Sequence, residues 1–250
     1  MTEQRITSRK NPAIQKVRRL FSSRREREET GLFAADGTKL LREAAAFFPG
    51  LEAVFLADGV EAELPDSVRR FRLPPEIMEY LSPMETPQGA VFVCRMPEKT
   101  AFVPRPGMLL LDGIQDPGNV GTLLRTADAL DIPVALLEGC ADPYNHKTVR
   151  ASMGAVFRTP VIRTDWETAE KAFHKAGIPV AVTALSPRAE DIRGADLSAA
   201  AVVIGSEGRG VRQEILDAAD KELIIPMNPH CESLNAAVAG AIVMWQMKIK

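Results

Sequence analysis

The sequence predicts an α/β protein whose larger part is a parallel sheet with helices on both faces. Three observations predict it. Beyond about residue 107, apolar strand-like runs alternate with amphipathic helical runs, the order that yields a parallel sheet covered by helices. Three of those strands open into polar loops and then helices: LLLDGIQDPGNVGTLLRTADAL (Leu109 to Leu130), AVVIGSEGRGV (Ala201 to Val211) and LIIPMNPHCESLNAAVAGAIVMWQ (Leu223 to Gln246). A proline-rich stretch, PEKTAFVPRPG (Pro97 to Gly107), precedes them. Proline holds itself and the residue before it extended, so this stretch reads as a linker between a domain over 1–100 and a second over 107–250.

In the first domain, residues 11–27 form a basic helix candidate with Ile14, Val17, Leu20 and Phe21 on one face. A helix from Lys39 to Phe48, a strand from Ala53 to Leu56, a helix around Pro75 to Leu81 and a strand from Ala90 to Cys94 complete a small α/β sandwich. It carries no catalytic constellation, so its expected role is recognition. In the second domain the expected strands are Met108 to Leu111, Val134 to Leu137, Thr159 to Ile162, Val180 to Thr183, Ala201 to Ile204 and Leu223 to Ile225. The expected helices lie near Val120 to Leu130, Lys147 to Met153, Trp166 to Lys175, Val211 to Ala219 and Leu234 to Gln246.

Charge is unevenly placed. The formal net charge is −2, yet nine basic residues lie between Arg5 and Arg27 (Arg5, Arg9, Lys10, Lys16, Arg18, Arg19, Arg24, Arg25, Arg27) against four acids in the first thirty. That pattern suggests a local polyanion contact, with a solvated helix face as the alternative. Cys94, Cys140 and Cys231 fit neither CxxC nor zinc spacing, and His146, His174 and His230 are dispersed; no structural metal is expected. The start, MTEQRITSRK, lacks the apolar core of a signal peptide, and no run approaches the roughly 18 apolar residues of a membrane span. A reducing, cytoplasmic setting is expected.

The three loops carry the chemistry. In the first, Asp116-Pro117-Gly118-Asn119 is a turn leading into a helix, with Asn119 as the expected N-cap. Arg125, about one and a half turns on, falls away from the buried face of Leu123, Leu124, Ala127 and Leu130. It can reach across the loop mouth to a phosphate or developing oxyanion; a surface salt bridge is the alternative. In the second, Gly205, Gly208 and Gly210 follow a buried strand as GxxGxG, neither the dinucleotide fingerprint nor a P-loop. Glu207 within it would repel a pyrophosphate, so a purine, ribose or sulfonium suits it better. In the third, Ser233 is the expected N-cap of an alanine-rich helix, while Asn235 points its amide into the pocket. The small residues Ala236, Ala237, Ala239 and Gly240 permit close helix packing.

Together these blocks resemble the motifs of the SpoU, or TrmH-like, branch of the SPOUT superfamily of RNA ribose 2′-O-methyltransferases. Asn119 and Arg125 match the first motif, Gly205, Glu207, Gly208 and Gly210 the second, and Ile225, Pro226, Met227, Ser233, Leu234 and Asn235 the third. The first hundred residues resemble the ribosomal-protein-like substrate-binding domain found in many members, with Phe33-Ala34-Ala35-Asp36-Gly37 in place of Phe-x-x-Glu-Gly. The resemblance implies a knotted (α/β-knot) parallel-sheet domain with a deep C-terminal trefoil, although topology rules alone argue against knots. It also implies a homodimer with the site near the subunit interface, and S-adenosylmethionine held by backbone around Thr183, Ala184, Gly205, Gly210, Ile225, Pro226, Met227, Ser233 and Leu234. Arg125, Asn119, Glu207 and Asn235 are the catalytic candidates. The target is RNA, with ribosomal RNA favoured over transfer RNA by analogy with two-domain relatives. Methylation of transfer RNA, methylation of a base, and a non-catalytic RNA-binding or ribosome-assembly role are the alternatives.

Overall fold

The computed structural model describes residues 3–98, 100–228, 230–231 and 233–249. Lys99 of the expected linker, and Pro229 and Glu232 of the third loop, lie outside them. Contacts divide the chain into two compact units, one of residues 1–98 with 144–158, the other of 99–143 with 159–250.

In chain order the first unit contains β1 (Gln4–Arg5), α1 (Pro12–Ser22), α2 (Arg24–Thr30), β2 (Leu32–Asp36), α3 (Thr38–Phe47), β3 (Leu51–Ala57), β4 (Arg69–Leu73), α4 (Pro75–Leu81) and β5 (Ala90–Arg95). Its sheet has the order β1-β4-β3-β5-β2. The β1/β4 and β3/β4 pairs are parallel, while β5 is antiparallel to both of its neighbours. Ile14, Val17, Leu20 and Phe21 are all buried, each such side chain contributing about 1.5–3 kcal/mol. The expected helix over 11–27 is two helices. Ser23 adopts an extended backbone and its hydroxyl accepts from the Glu26 N–H at 3.2 Å, capping α2 as α1 ends.

The second unit adds β6 (Leu109–Asp112), α5 (Pro117–Ala129), β7 (Val134–Leu136), β8 (Ile162–Arg163), α8 (Trp166–Ala176), β9 (Val180–Thr183), β10 (Glu190–Asp191), β11 (Ala201–Gly205), α9 (Gln213–Ala218), β12 (Lys221–Ile224) and α10 (Ala236–Lys248). Its seven strands run β10-β12-β9-β11-β6-β7-β8, and every pairing is parallel. The core packs Met108, Leu110, Trp166, Phe173, Val182 and Val203.

Residues between β7 and β8 depart from expectation. A helix α6 (His146–Ala151) and a short α7 (Ala155–Arg158) pack within the first unit. The turn at Met153 (φ 50°) and Gly154 (φ 96°) ends α6 before its expected limit, and the expected strand over 159–162 reduces to Ile162–Arg163.

Sheet order sets the site. β6, β11, β9 and β12 lie side by side, with Asp112 opposite Gly205, Val203 opposite Val182 and Thr183 opposite Leu223. In a parallel sheet all four carboxyl ends then emerge on one edge, where α/β proteins bind ligands.

Candidate active site

The first loop leaves β6 through Gly113, at φ 64°. Asp116 caps α5, its carboxylate accepting from the Asn119 N–H at 2.8 Å, and Pro117 opens the first turn. Asn119 is therefore not the cap; it lies within the first turn and its side chain is spared for other partners. The same displacement occurs at the third loop. Asn235, not Ser233, caps α10, its Oδ1 accepting from the N–H groups of Ala237 and Val238 at 3.0 and 3.3 Å.

The glycine loop is closed on itself. Ser206 and Gly210 exchange backbone hydrogen bonds at 3.1 and 2.9 Å, and Gly210 sits at φ 67°. A Cβ on Gly205 would lie 2.0 Å from the Gly210 carbonyl carbon, so this position admits no side chain without opening the loop. Just beyond, the buried Asp112 carboxylate accepts from both the backbone N–H and the Nε of Arg212, at 2.9 and 2.7 Å. Arg212 also pairs with Glu138 and Glu214. This clamp between the end of β6 and the end of the glycine loop was not read in the sequence; its only signal was an acid as the last residue of an apolar strand.

One network joins the three loops. Asn119 Nδ2 donates to Glu207 Oε1, Asn235 Nδ2 donates to Asn119 Oδ1 at 3.0 Å, and the Ala236 N–H reaches Glu207 Oε1 at 3.4 Å. Arg125 is exposed on α5 and its side chain makes no hydrogen bond or ion pair among the described residues. Asn119 thus spends its amide on Glu207 and Asn235.

Beside this network lies an open cleft of about 650 Å3. Thr183, Ala184, Gly205, Glu207, Gly210, Ile225, Met227, Ser233 and Leu234 line it; Pro226 falls between two lining residues without lining it itself. Sequence reasoning missed Leu185, Arg188, Gln213 and Glu222 on its walls. Leu185 is 70% exposed, an apolar side chain held out at the mouth, and Arg188 pairs with Glu222 at 2.5 Å. A slightly larger depression of about 730 Å3 lies between α3 and residues 60–65 of the first unit, but none of the motif residues reaches it. The half-buried Cys140 is no nucleophile, because burial pushes its thiol up to about 11.

The close packing expected of α10 is present: a Cβ on Gly240 would meet Leu123 of α5 at 2.2 Å and Ile204 of β11 at 3.2 Å.

A parallel sheet whose adjacent strand ends supply a glycine cradle, a carboxylate and a capped helix defines a nucleotide- or nucleoside-cofactor α/β protein. The chain belongs to the SpoU rRNA Methylase family, which residues 106–245 match, and residues 11–91 match the MRM3-like substrate binding domain. It is 33% identical over 247 residues to the 23S rRNA (guanosine(2553)-2′-O)-methyltransferase RlmP of Bacillus subtilis, covering 97% of this chain and 98% of that one. It is 28% identical to the mitochondrial rRNA methyltransferase 3 of Mus musculus, covering 94% of this chain and 71% of that one. Among solved structures, the AdoMet-bound rRNA methyltransferase from Sinorhizobium meliloti superposes with a TM-score of 0.87 at 27% identity, over 98% of this chain and 97% of that one.

Proposed function

We propose that this protein transfers a methyl group from S-adenosylmethionine to a ribose 2′-hydroxyl of ribosomal RNA. The observation that carries the reading is the joining of Asn119, Glu207 and Asn235, one from each loop, at the rim of a single cleft.

The cleft fits the cofactor. Its glycine cradle offers backbone groups with no side chain in the way, its mouth carries Leu185 and Ile225 for an adenine face, and Glu207 supplies negative charge suited to a cation. When bound, S-adenosylmethionine supplies a methyl group already activated on a sulfonium. Thr183, Ala184, Gly205, Gly210, Ile225, Met227, Ser233 and Leu234, which line the cleft, would hold it, largely through backbone, with Pro226 shaping the strand end between them. The network of Asn119, Glu207 and Asn235 fixes the pocket wall.

Arg125 acts on the acceptor. A guanidinium stays protonated in proteins and is a poor base. It lowers the cost of charge on the ribose 2′-oxygen as that hydroxyl gives its proton to solvent. Positioning of acceptor against donor supplies much of the remaining acceleration.

The first unit serves as the RNA substrate-binding domain and the second as the methyltransferase domain, with the C-terminal segment threaded as a trefoil knot. The working form is a cytoplasmic homodimer. Supporting the dimer, α10 exposes Val238, Ile242 and Trp245, with Trp245 61% exposed, and the exposed Ile249 follows directly at its end; the three helical positions fall on one stripe, the kind of apolar face that marks an interface. Light scattering should return twice the chain mass and Trp245→Glu should halve it; a wild-type monomer would refute the dimer. Among the described residues no helix is long and apolar enough to cross a membrane.

Calorimetry with S-adenosylmethionine tests the assignment. Saturable one-to-one binding per chain, lost when the glycine loop is disrupted, is the expected result; absence of binding by folded protein would remove the methyltransferase reading and leave a non-catalytic RNA-binding role.

A further inference from the structure

The nine basic residues between Arg5 and Arg27 are not equivalent. Arg27 is buried and donates to the Leu20 carbonyl at 2.7 Å. Arg5, Arg19, Arg24 and Arg25 are ion-paired with Asp58, Glu26, Glu28 and Glu29. Five of the nine cations are thereby spent on the protein's own groups. Arg9, Lys10, Lys16 and Arg18 remain, all exposed and without an ion pair among the described residues.

Two of these four share one aromatic ring. The guanidinium of Arg18 lies 4.0 Å and that of Arg9 4.8 Å from the centroid of Tyr80 on α4. Arg18 Nη1 also donates to the Tyr80 carbonyl at 2.8 Å. Gln15 ties the assembly together, its Nε2 donating to the Arg9 carbonyl at 2.6 Å and to the Tyr80 hydroxyl at 3.3 Å. Two like charges gathered on one ring repel each other, and the ring's negative face offsets only part of that. A bound anion relieves the rest, and it finds both guanidiniums with part of their side-chain freedom already lost.

We propose that Arg9 and Arg18, braced by Tyr80, form the phosphate-binding face through which the first unit grips the RNA backbone. The choice of RNA as the polyanion rests on the methyltransferase reading; the choice of residues does not. Guanidinium forks and ammonium groups recognise phosphate oxygens, and such contacts set position and register without reading sequence. Base selection at the target therefore lies elsewhere.

The test uses full-length protein and a labelled 20-nucleotide single-stranded RNA of mixed sequence, with affinity read by fluorescence anisotropy over a series of KCl concentrations. Each phosphate contact contributes about 0.7 to the slope of log K against log salt on single strands. The double variant Arg9→Gln/Arg18→Gln should flatten the slope by about 1.4, while Arg24→Gln/Arg25→Gln leaves it unchanged. Tyr80→Leu keeps every charge and should weaken binding several-fold with the slope retained. Equal flattening by both double variants, or none by the first, overturns the proposal. So does tighter binding of the wild type to phosphatidylserine vesicles than to RNA, with Arg9 and Arg18 needed only for the vesicles. S-adenosylmethionine calorimetry on the same samples separates the two failures: cofactor bound with an unchanged RNA slope sinks this face alone, whereas no cofactor binding sinks the enzyme.

Discussion

Asn235 Nδ2 donates to Asn119 Oδ1 at 3.0 Å across 116 positions of chain, tying the first turn of α5 to the start of α10. The same Asn235 caps α10 through its other amide atom. The two jobs can be separated. Asn235→Asp retains a cap oxygen but cannot donate to Asn119, and it sets a second carboxylate near Glu207. Its thermal midpoint should stay close to wild type while S-adenosylmethionine affinity falls about ten-fold, the loss of one hydrogen bond of about 1.4 kcal/mol. Asn235→Ala should lose a further ~1 kcal/mol of stability with the cap. Calorimetry and thermal melting distinguish them; an Asp variant that binds like wild type would show that the bridge is not used by the cofactor pocket.

Gly205 is held by sterics. Its hypothetical Cβ overlaps the Gly210 carbonyl and the Val211 nitrogen, so Gly205→Ala must push the loop open at a cost of about 1–3 kcal/mol or more. Because the loop closes the cleft and not the core, most of that cost should appear as weakened S-adenosylmethionine binding, with the sheet intact by circular dichroism. Unaltered affinity would mean that the glycine loop does not contact the cofactor.

Arg125 should divide binding from chemistry. Arg125→Ala is expected to cut the methylation rate by about 10²–10³, the range for loss of one oxyanion donor, while cofactor affinity stays within a few-fold. Arg125→Lys retains charge without the planar fork and should fall between. A fully active alanine variant, in single-turnover assays, removes this arginine from the mechanism.

His146 should make stability depend on pH. It packs edge-on to Phe21 with ring centroids 5.6 Å apart, and its buried Nδ1 has no hydrogen-bond partner. Burial first, then the charge of Lys147 with lesser effects from Arg27 and Arg150, holds its pKa below the ordinary 6.5, against an opposing hydrogen bond to the Phe21 backbone. The folded state then binds fewer protons than the unfolded one between the two values. Its contribution is complete above about pH 6.5 and is lost as pH falls below that toward the depressed folded value. Thermal midpoints measured from about pH 7.5 down to about 5.5 should fall, and His146→Gln should remove part of that fall. Parallel curves for the two proteins would contradict it.

What could be read from the sequence depended on how local its cause was. The apolar face of α1, the extent of α4 from Pro75 to Leu81 and β9 from Val180 to Thr183 follow from periodicity and proline placement, and these emerge as expected. β4 does not announce itself: its sequence RRFRL is charged, and it is a strand because β1 and β3 flank it and Arg72 finds Glu3 and Glu61. The packing of 144–158 within the first unit is likewise a long-range matter, invisible to any window of sequence. At the site, motif spacing brought Asn119, Glu207 and Asn235 into consideration, yet their caps were misplaced by a few residues. Asp116 and Asn235 are as good cap residues as Asn119 and Ser233, and only the backbone path decides among them. The Asp112–Arg212 clamp spans 100 positions; the acid ending β6 marks one half of it locally, but nothing local points to its partner.

The central claim concerns where the methyl group goes. Ribosomal RNA from cells lacking this protein would be incubated with the purified enzyme and isotopically marked S-adenosylmethionine, digested to nucleosides and examined by mass spectrometry. The expected product is a nucleoside labelled on its ribose 2′-oxygen, absent when Arg125→Ala replaces the wild type. Label on a base, or unlabelled RNA from folded protein that binds the cofactor, would contradict the account.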